Sequence, residues 1–287
     1  MDRDTSPFPS DLVQLHPGLG LLRFAALLSD GAEADDETLD AMFEQMEIGA
    51  LDRLPPVEIW SELERGLMGA KPSAMLRALR ACGVLEIILP ELDALFGVPQ
   101  IADDPGEVDL GELLLRSLDE AASVNAPLEV RFALLVMNAG KSDSPKEHLP
   151  AHYRHIERGA PRVAAMAKRF GVSESCRDLA MLALKECERV HRTSAVRAGP
   201  IAAMLARIDA FDNPTRFARL MSVARCDYYG HGGRSEPEYP KAQILEKALA
   251  SCAPLSPESF ETPEELMTAR AGAIARAFRS ERWSDDD

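Results

Sequence analysis

Three histidines, His148, His152 and His155, are spaced four and three apart. On one continuous helix that spacing would turn three imidazoles toward a common metal ion. Pro150 lies between the first two, and its ring removes a backbone donor and clashes with the preceding turn, so no metal-binding helix face is expected. Close carboxylates can hold paired Mg²⁺ ions for transfer of a nucleotidyl group. The acidic pairs near the start, Asp2 with Asp4 and Asp35 with Asp36, lie in unpatterned or helix-capping sequence with no strand before them. They are read as solvated charge. Cys187 and Cys226 would act as nucleophiles only beside a histidine or a cation. Sequence alone places none there, and buried inert thiols are expected. The remaining candidate is "EVRFALLVMNAGKSDSP" (129–145), where an apolar run, Phe132 to Val136, leads through Met137-Asn138 to Gly140-Lys141 and a proline-stopped turn. It has the shape of a helix ending in a functional loop.

The elements that must position these residues read as helices. Leu39, Met42, Phe43 and Met46 repeat at helical spacing after Asp36. Asn213-Pro214 reads as a cap followed by proline at the first helical position. Thr262 with Glu265 forms a capping box, and Gly171 ends the helix of "RVAAMAKRF". Only "VLEIIL" (84–89) reads like a strand, and it is too short to separate from a buried helical turn. The chain is predicted all-α and multi-helical, with joints near Gly69–Pro72, Gly97–Gly106, Ser142–Ala151 and Gly230–Pro240.

Hydrophobic residues make up 46% and charged residues 28% of the 287, a globular balance. No apolar run approaches the roughly 20 residues of a membrane span, and no membrane contact is expected. The N-terminus lacks a signal peptide's basic and apolar regions. Five scattered cysteines, without a CxxC pair, point to reduced thiols in a cytoplasm. The net charge of −15 opposes nucleic-acid binding, but it is uneven. Met1–Glu64 holds 15 acidic and 3 basic residues, whereas Pro145–Arg192 holds 10 basic and 6 acidic. A polyanion would meet the middle of the chain.

Several segments carry a resemblance as an ordered set: "RACGVLEIILPELDALFGVPQ" (80–100), "EVRFALL", "RHIERGAPRVAAMAKRFGV", "ERVHR", "SVARCDYYGH" and "EELMTARAGAIARAF". Over about residues 13–283 the chain resembles bacterial CCA-adding tRNA nucleotidyltransferases of the poly(A) polymerase-like class. The resemblance implies a flexible arm (1–12), a neck-like helical domain (13–70), a degenerate HD-type helical body (71–253), and a C-terminal helix with an acidic tail (254–287). It begins where the family's catalytic head should already have ended, so no head is expected in this chain.

What the resemblance implies about sites is mostly loss. In the neck, "LHPGLGLLRF" (15–24) keeps only Arg23-Phe24 of an arginine-repeating run. "EIWSE" (58–62) keeps Glu62 but has Glu58 in place of an arginine. In HD-type bodies two histidines, a His-Asp pair and a distant aspartate bind a divalent metal. Here the first histidine matches Leu113, the His-Asp pair matches Met137-Asn138, and the final aspartate matches Asp227. Leucine has no lone pair, a thioether is a soft ligand, and asparagine lacks the carboxylate charge. No metal and no cofactor are expected. His155 and His191 match family histidines, and Cys187 stands where relatives carry another.

Two functions follow. One is a catalytically inactive RNA- or protein-binding scaffold. In it Arg154, Arg158 and Arg162, at i, i+4 and i+8, with His155, Lys168 and Arg169 nearby, would touch tRNA phosphates; a solvated stripe paired with acids such as Glu157 is the competing reading. The other is a tRNA nucleotidyltransferase component whose head comes from another chain. The apolar neck segment, Leu19, Leu21, Leu22, Phe24, Ala25, Leu27 and Leu28, must be buried on all sides. Either the preceding arm covers it, with Phe8, Leu12, Val13 and Leu15, or a protein partner or second copy does.

Overall fold

The computed structural model describes residues 16–102, 106–195, 197–232 and 239–282. Among these residues it contains 14 α-helices and one short hairpin, so the chain is all-α. The arm, the Asp2/Asp4 pair, most of the Gly230–Pro240 joint and the acidic tail lie outside the described residues.

Local chemistry sets the helix boundaries. Helix α1 (Pro17–Leu28) starts with proline at its first position, and His16 Nδ1 accepts from Gly18 N. In α2 (Asp36–Glu47) the cap is Asp35; its carboxylate accepts from Thr38 N at 2.9 Å and Thr38 Oγ1 at 2.6 Å. Helices α3 (Pro56–Met68) and α4 (Pro72–Ala81) meet at the expected break around Gly69–Pro72. The "VLEIIL" run forms a helical turn, α5 (Val84–Ile88), followed by α6 (Pro90–Asp93). The Gly97–Gly106 joint holds the one unforeseen element, an antiparallel hairpin of β1 (Pro99–Ile101) and β2 (Glu107–Asp109), with Gln100 opposite Val108. Three-residue strands carry too little alternation to be read from sequence.

Next come α7 (Leu110–Ser123), α8 (Leu128–Val136), α9 (His155–Phe170), α10 (Glu174–His191), α11 (Ala198–Arg207), α12 (Pro214–Gly230), α13 (Pro240–Cys252) and α14 (Pro263–Arg282). The predicted caps are present. Asn213 Oδ1 accepts from Arg216 N at 3.0 Å, Thr262 Oγ1 accepts from Glu265 N at 3.2 Å, and Gly171 ends α9 at φ +66°.

The chain divides into two compact units, residues 1–184 with 226–234, and residues 185–225 with 235–287. In the first, α1 packs on α3 and α4, α4 on α7, α7 on α8, and α3 on both α8 and α9. Gly66 permits the close α1–α3 approach: a Cβ there would lie 3.2 Å from Ala26 Cα and 2.1 Å from Met75 Sδ. Trp60 joins three helices, edge-on to Phe132 at 5.5 Å and tilted on Phe170 at 6.1 Å. Leu21, Leu22, Phe24, Ala25 and Leu28 are buried, while Leu27 is exposed. The apolar neck helix is thus covered chiefly by the chain's own α2, α3 and α4, and its apolarity gives no reason to invoke a partner. In the second unit α11, α13 and α14 pack on one another.

Candidate functional site

Asp109 begins α7, its Oδ1 accepting from Glu112 N at 3.0 Å, and Leu113 follows one turn in, 2% exposed. Met137 caps α8 and Asn138 comes next; they are 5% and 6% exposed. Asp227, 6% exposed, lies in the last turn of α12. Helix α7 packs on α8, and it meets the last turn of α12 through Arg116 Nε, which donates to Gly230 O at 2.6 Å. A Cβ on Gly230 would lie 2.2 Å from Ser117 Oγ, so glycine lets these backbones close. The fold therefore brings together the three elements that carry the four positions. Leucine and methionine are poor ligands for a hard cation, and asparagine offers an oxygen without charge. Asp227 O accepts from His231 Nδ1 at 2.9 Å; a carbonyl only accepts, which makes Nδ1 the donor.

The loop after Asn138 is held mainly by the arginines of α9. Arg158 donates through Nε to Gly140 O at 3.0 Å, and through its terminal nitrogens to Tyr153 O at 2.8 Å and Ser144 Oγ at 2.9 Å. Arg162 donates to Ala139 O at 2.8 Å and Ser142 Oγ at 3.0 Å, and grips Asp143 with contacts of 3.1 and 2.7 Å. Arg158 also pairs with Asp143, at 3.1 Å. Burial pushes the Asp143 carboxyl up, but the Arg162 hydrogen bond and charge, helped by Arg158, outweigh it and hold the group below the usual carboxylate range. Gly140 is required by contact: a Cβ there would sit 2.0 Å from His155 O and 2.5 Å from Gly159 N. Lys141, 5% exposed, ties the loop to β1 through Gln100 Oε1 at 2.9 Å.

The three spaced histidines do separate jobs. His152 Nε2 faces Pro99 O at 3.0 Å, which makes it the donor, and Nδ1 faces Ser144 Oγ at 2.8 Å. His155 Nδ1 donates to His152 O at 2.9 Å. His148 lies in a short 3₁₀ turn, edge-on to Tyr153. The segment through Pro150 is not a continuous helix, as its sequence required.

Of the other basic candidates, Arg154 precedes α9 in a left-handed conformation (φ +59°) and donates to Glu157 at 2.7 Å, both side chains exposed. It does not continue a helical row with Arg158 and Arg162. Arg169 pairs with Glu91 at 3.2 Å. Lys168 is exposed and makes no ion pair among the described residues. The two neck remnants find each other: Arg23 forks onto Glu62 at 2.5 and 2.6 Å, and Arg65 approaches the same carboxylate at 3.4 Å. Glu62 is 4% exposed, so this arginine serves helix packing in the first unit.

In the second unit Cys187 and His191, both matched to family histidine positions, join a chain of polar groups whose third member, Tyr239, sequence reading missed. Cys187 Sγ lies 3.4 Å from His191 Nε2, and His191 Nδ1 lies 2.7 Å from Tyr239 Oη. The i,i+4 spacing of Cys187 and His191 on one helix was the available signal; the Tyr239 contact, 48 residues away, had none. Cys187 is 6% exposed, in keeping with a buried thiol.

A family profile described as "Probable RNA and SrmB- binding site of polymerase A" matches residues 33–96. The Multifunctional CCA protein of Cupriavidus necator is 39% identical over 270 residues, 94% of this chain and 61% of that protein. Those of Verminephrobacter eiseniae (41% over 247 residues, 86% and 59%) and Paraburkholderia phymatum (38% over 269 residues, 91% and 64%) are similar to the same extent. Over nearly all of its own length the chain is similar to the CCA-adding, poly(A) polymerase-like family. It spans about three-fifths of the length of these curated relatives.

Within the segment matching the family's RNA-binding profile, charge runs against a polyanion. Residues 33–96 hold 14 acidic and 5 basic side chains. Arg65 is turned to Glu62, Arg77 forks onto Glu112 at 3.0 and 2.6 Å, and Arg80 lies 3.4 Å from Asp93 and over the Phe96 ring. Asp35, of the acidic pair weighed for metal binding, serves as the cap of α2. No described helix is long and apolar enough to cross a membrane.

Proposed function

We propose that this chain is an RNA-binding helical scaffold of the CCA-adding family with no phosphohydrolase chemistry at its HD-equivalent positions. The observation that carries this reading is the state of those positions. Leu113, Met137, Asn138 and Asp227 are between 2% and 6% exposed, and only Asp227 offers a charged oxygen. Taken by themselves, these four positions supply one carboxylate and one neutral amide oxygen, too little to hold a divalent ion against water or to lower the pKa of a bound water.

The proposed ligand is tRNA, from the family resemblance together with the profile that names RNA binding. The contacts are assigned to Arg154, Lys168 and Arg169, whose charges are exposed or held by surface pairs that exchange readily. Arg158 and Arg162 act through the loop they hold. With so few phosphate contacts, binding is weak and its salt dependence shallow, a log–log slope of about 2 to 3. Filter binding with tRNA from low to physiological salt, run beside ATP and CTP incorporation into tRNA lacking its 3′ end, tests both parts. Retention with a shallow slope and no incorporation is expected. Mg²⁺-dependent incorporation that disappears when an acidic pair of this chain is mutated would overturn the scaffold reading. Retention unchanged by Lys168→Glu and Arg154→Glu together would remove the assigned contacts.

A further inference from the structure

The second unit contains a cavity of about 410 Å³, within the range of small-ligand pockets. It lies between the turn after α11, the start of α12, the second half of α13 with the turn that follows it, and the first half of α14. Phe217, Leu249 and Leu255 give it apolar walls, and Phe211, Arg270 and Glu246 bring flat and polar groups to it. The Arg270 guanidinium carbon stands 3.6 Å from the centroid of the Phe211 ring, the distance of a face-on stack. Most other arginines of the described chain that lie against a neighbour are tied to a carboxylate or a carbonyl. Arg270 is half-buried, yet its side chain makes no ion pair and no hydrogen bond among the described residues. The guanidinium plane is thus held in place by a ring, and its donors are engaged by no other described residue.

We propose that this cavity binds a single unpaired nucleobase, stacked on the free face of Arg270. A guanidinium plane and an aromatic ring are the two surfaces on which unstacked bases lie, and Phe217, Leu249 and Leu255 add apolar contact beside them. The two acidic residues at the cavity, Asp212 and Glu246, disfavour a simple anion. They suit the exocyclic amine of adenine or cytosine, a donor that a carboxylate accepts, while the edge of Arg270 suits the ring nitrogens. The Cys252 thiol on the same wall is buried and directs its proton to Arg270 O at 3.7 Å, so it adds no charge. The base has two possible sources, a free mononucleotide or an RNA single strand, and the assay separates them. The proposal stands apart from the tRNA contacts assigned to the first unit: a protein that binds AMP but not tRNA would contradict those and leave this one intact.

The test is isothermal titration of the full chain with AMP, with CMP, and with an eight-residue oligoadenylate. Arg270→Lys keeps the charge but removes the plane, and Leu249→Trp fills the cavity while leaving both stacking residues in the sequence. Saturable binding of a mononucleotide or of the oligonucleotide is expected, weakened about tenfold or more by Arg270→Lys and abolished by Leu249→Trp. Binding of AMP or CMP assigns the site to free nucleotides, and binding of the oligonucleotide alone assigns it to a strand; either upholds the proposal. No saturable binding of any of the three probes would overturn it. So would wild-type affinity in Arg270→Lys, or in a Leu249→Trp protein with an unchanged melting curve.

Discussion

Arg158→Met separates two roles for the basic face of α9. As a phosphate contact, Arg158 would contribute to RNA affinity and to its salt dependence, and the protein would hardly notice its loss. As a tether, it would matter to stability first. Its side chain is 24% exposed and reaches four acceptors: Gly140 O, Tyr153 O, Ser144 Oγ and the Asp143 carboxylate. Asp143 is 50% exposed, so that pair contributes at most about 1 kcal/mol, and the acceptor on exposed Tyr153 is recovered by water. Gly140 and Ser144 are buried. Each loses a bond to a charged donor that is valued at about 1.5–3 kcal/mol, less what relaxation and water return. Methionine keeps the packing of the aliphatic stem. The net loss comes to about 2–3 kcal/mol.

Trp60 reports on the unit concerned, since it lies against Phe132 and Phe170. Its fluorescence in urea should show a lower midpoint at unchanged slope. Filter binding at several salt concentrations should show a slope altered by less than about half a charge, against about one for a lost phosphate contact. A variant with the wild-type urea midpoint and a slope reduced by about one would refute the tether and restore Arg158 to the RNA-contacting set.

Four further outcomes are expected. Asp143→Asn should cost about 0.5–1 kcal/mol at neutral pH; because the folded carboxyl lies below its ordinary value, that contribution is present above about pH 4 and is lost as pH falls through the folded pKa, so the melting difference from wild type should vanish in acid. Arg131→Met should cost about 2–4 kcal/mol by urea titration, since this 3%-exposed guanidinium donates to Leu67 O, Gly69 O and Ala126 O. Gly140→Ala should destabilise by about 2 kcal/mol or more, because its Cβ would sit 2.0 Å from a helix carbonyl that cannot swing aside; a melting curve within a degree of wild type would contradict the contact. Leu113→His, Met137→His and Asn138→Asp combined should raise bound Zn²⁺ or Mn²⁺ above the wild-type level by elemental analysis, provided the folded signal persists.

Sequence made the helices legible where capping chemistry is local. Asn213, Thr262 and Gly171 each act on a backbone group within three residues, so their meaning travels with the sequence. The short hairpin was hidden, since three residues cannot show alternation. For the candidate site, residue types were readable and partners were not. Arg154, Arg158 and Arg162 share a helical spacing, but the acceptors that hold two of them lie 14 to 23 residues away in a loop. Arg23 and Glu62 were read as separate remnants; their fork spans 39 residues and two helices. A stripe drawn from periodicity shows which side chains emerge together, not what has already engaged them.

The loop from Ala139 to Ser144 bears on why such a body remains folded on the reading proposed above. A divalent ion would be the largest local charge in an HD-type site, and its ligands would need that charge to offset their own. Removing only the ion would leave buried carboxylates and imidazoles uncompensated, at several kcal/mol for a lone buried charge. Leucine, methionine and asparagine at 113, 137 and 138 avoid that cost, since none carries charge into a region 2–6% exposed. The loop does not need the ion for its position. Arg158, Arg162 and Lys141 reach it from α9 and toward β1, with Asp143 held between the two arginines. Two of the cations that sequence offers for RNA, Arg158 and Arg162, are in this way the ones that organise the loop, and the candidates left for a polyanion on the proposed reading are Arg154, Lys168 and Arg169. On that reading, weak RNA binding with a shallow salt dependence and a first unit that folds without a metal follow from the same arrangement.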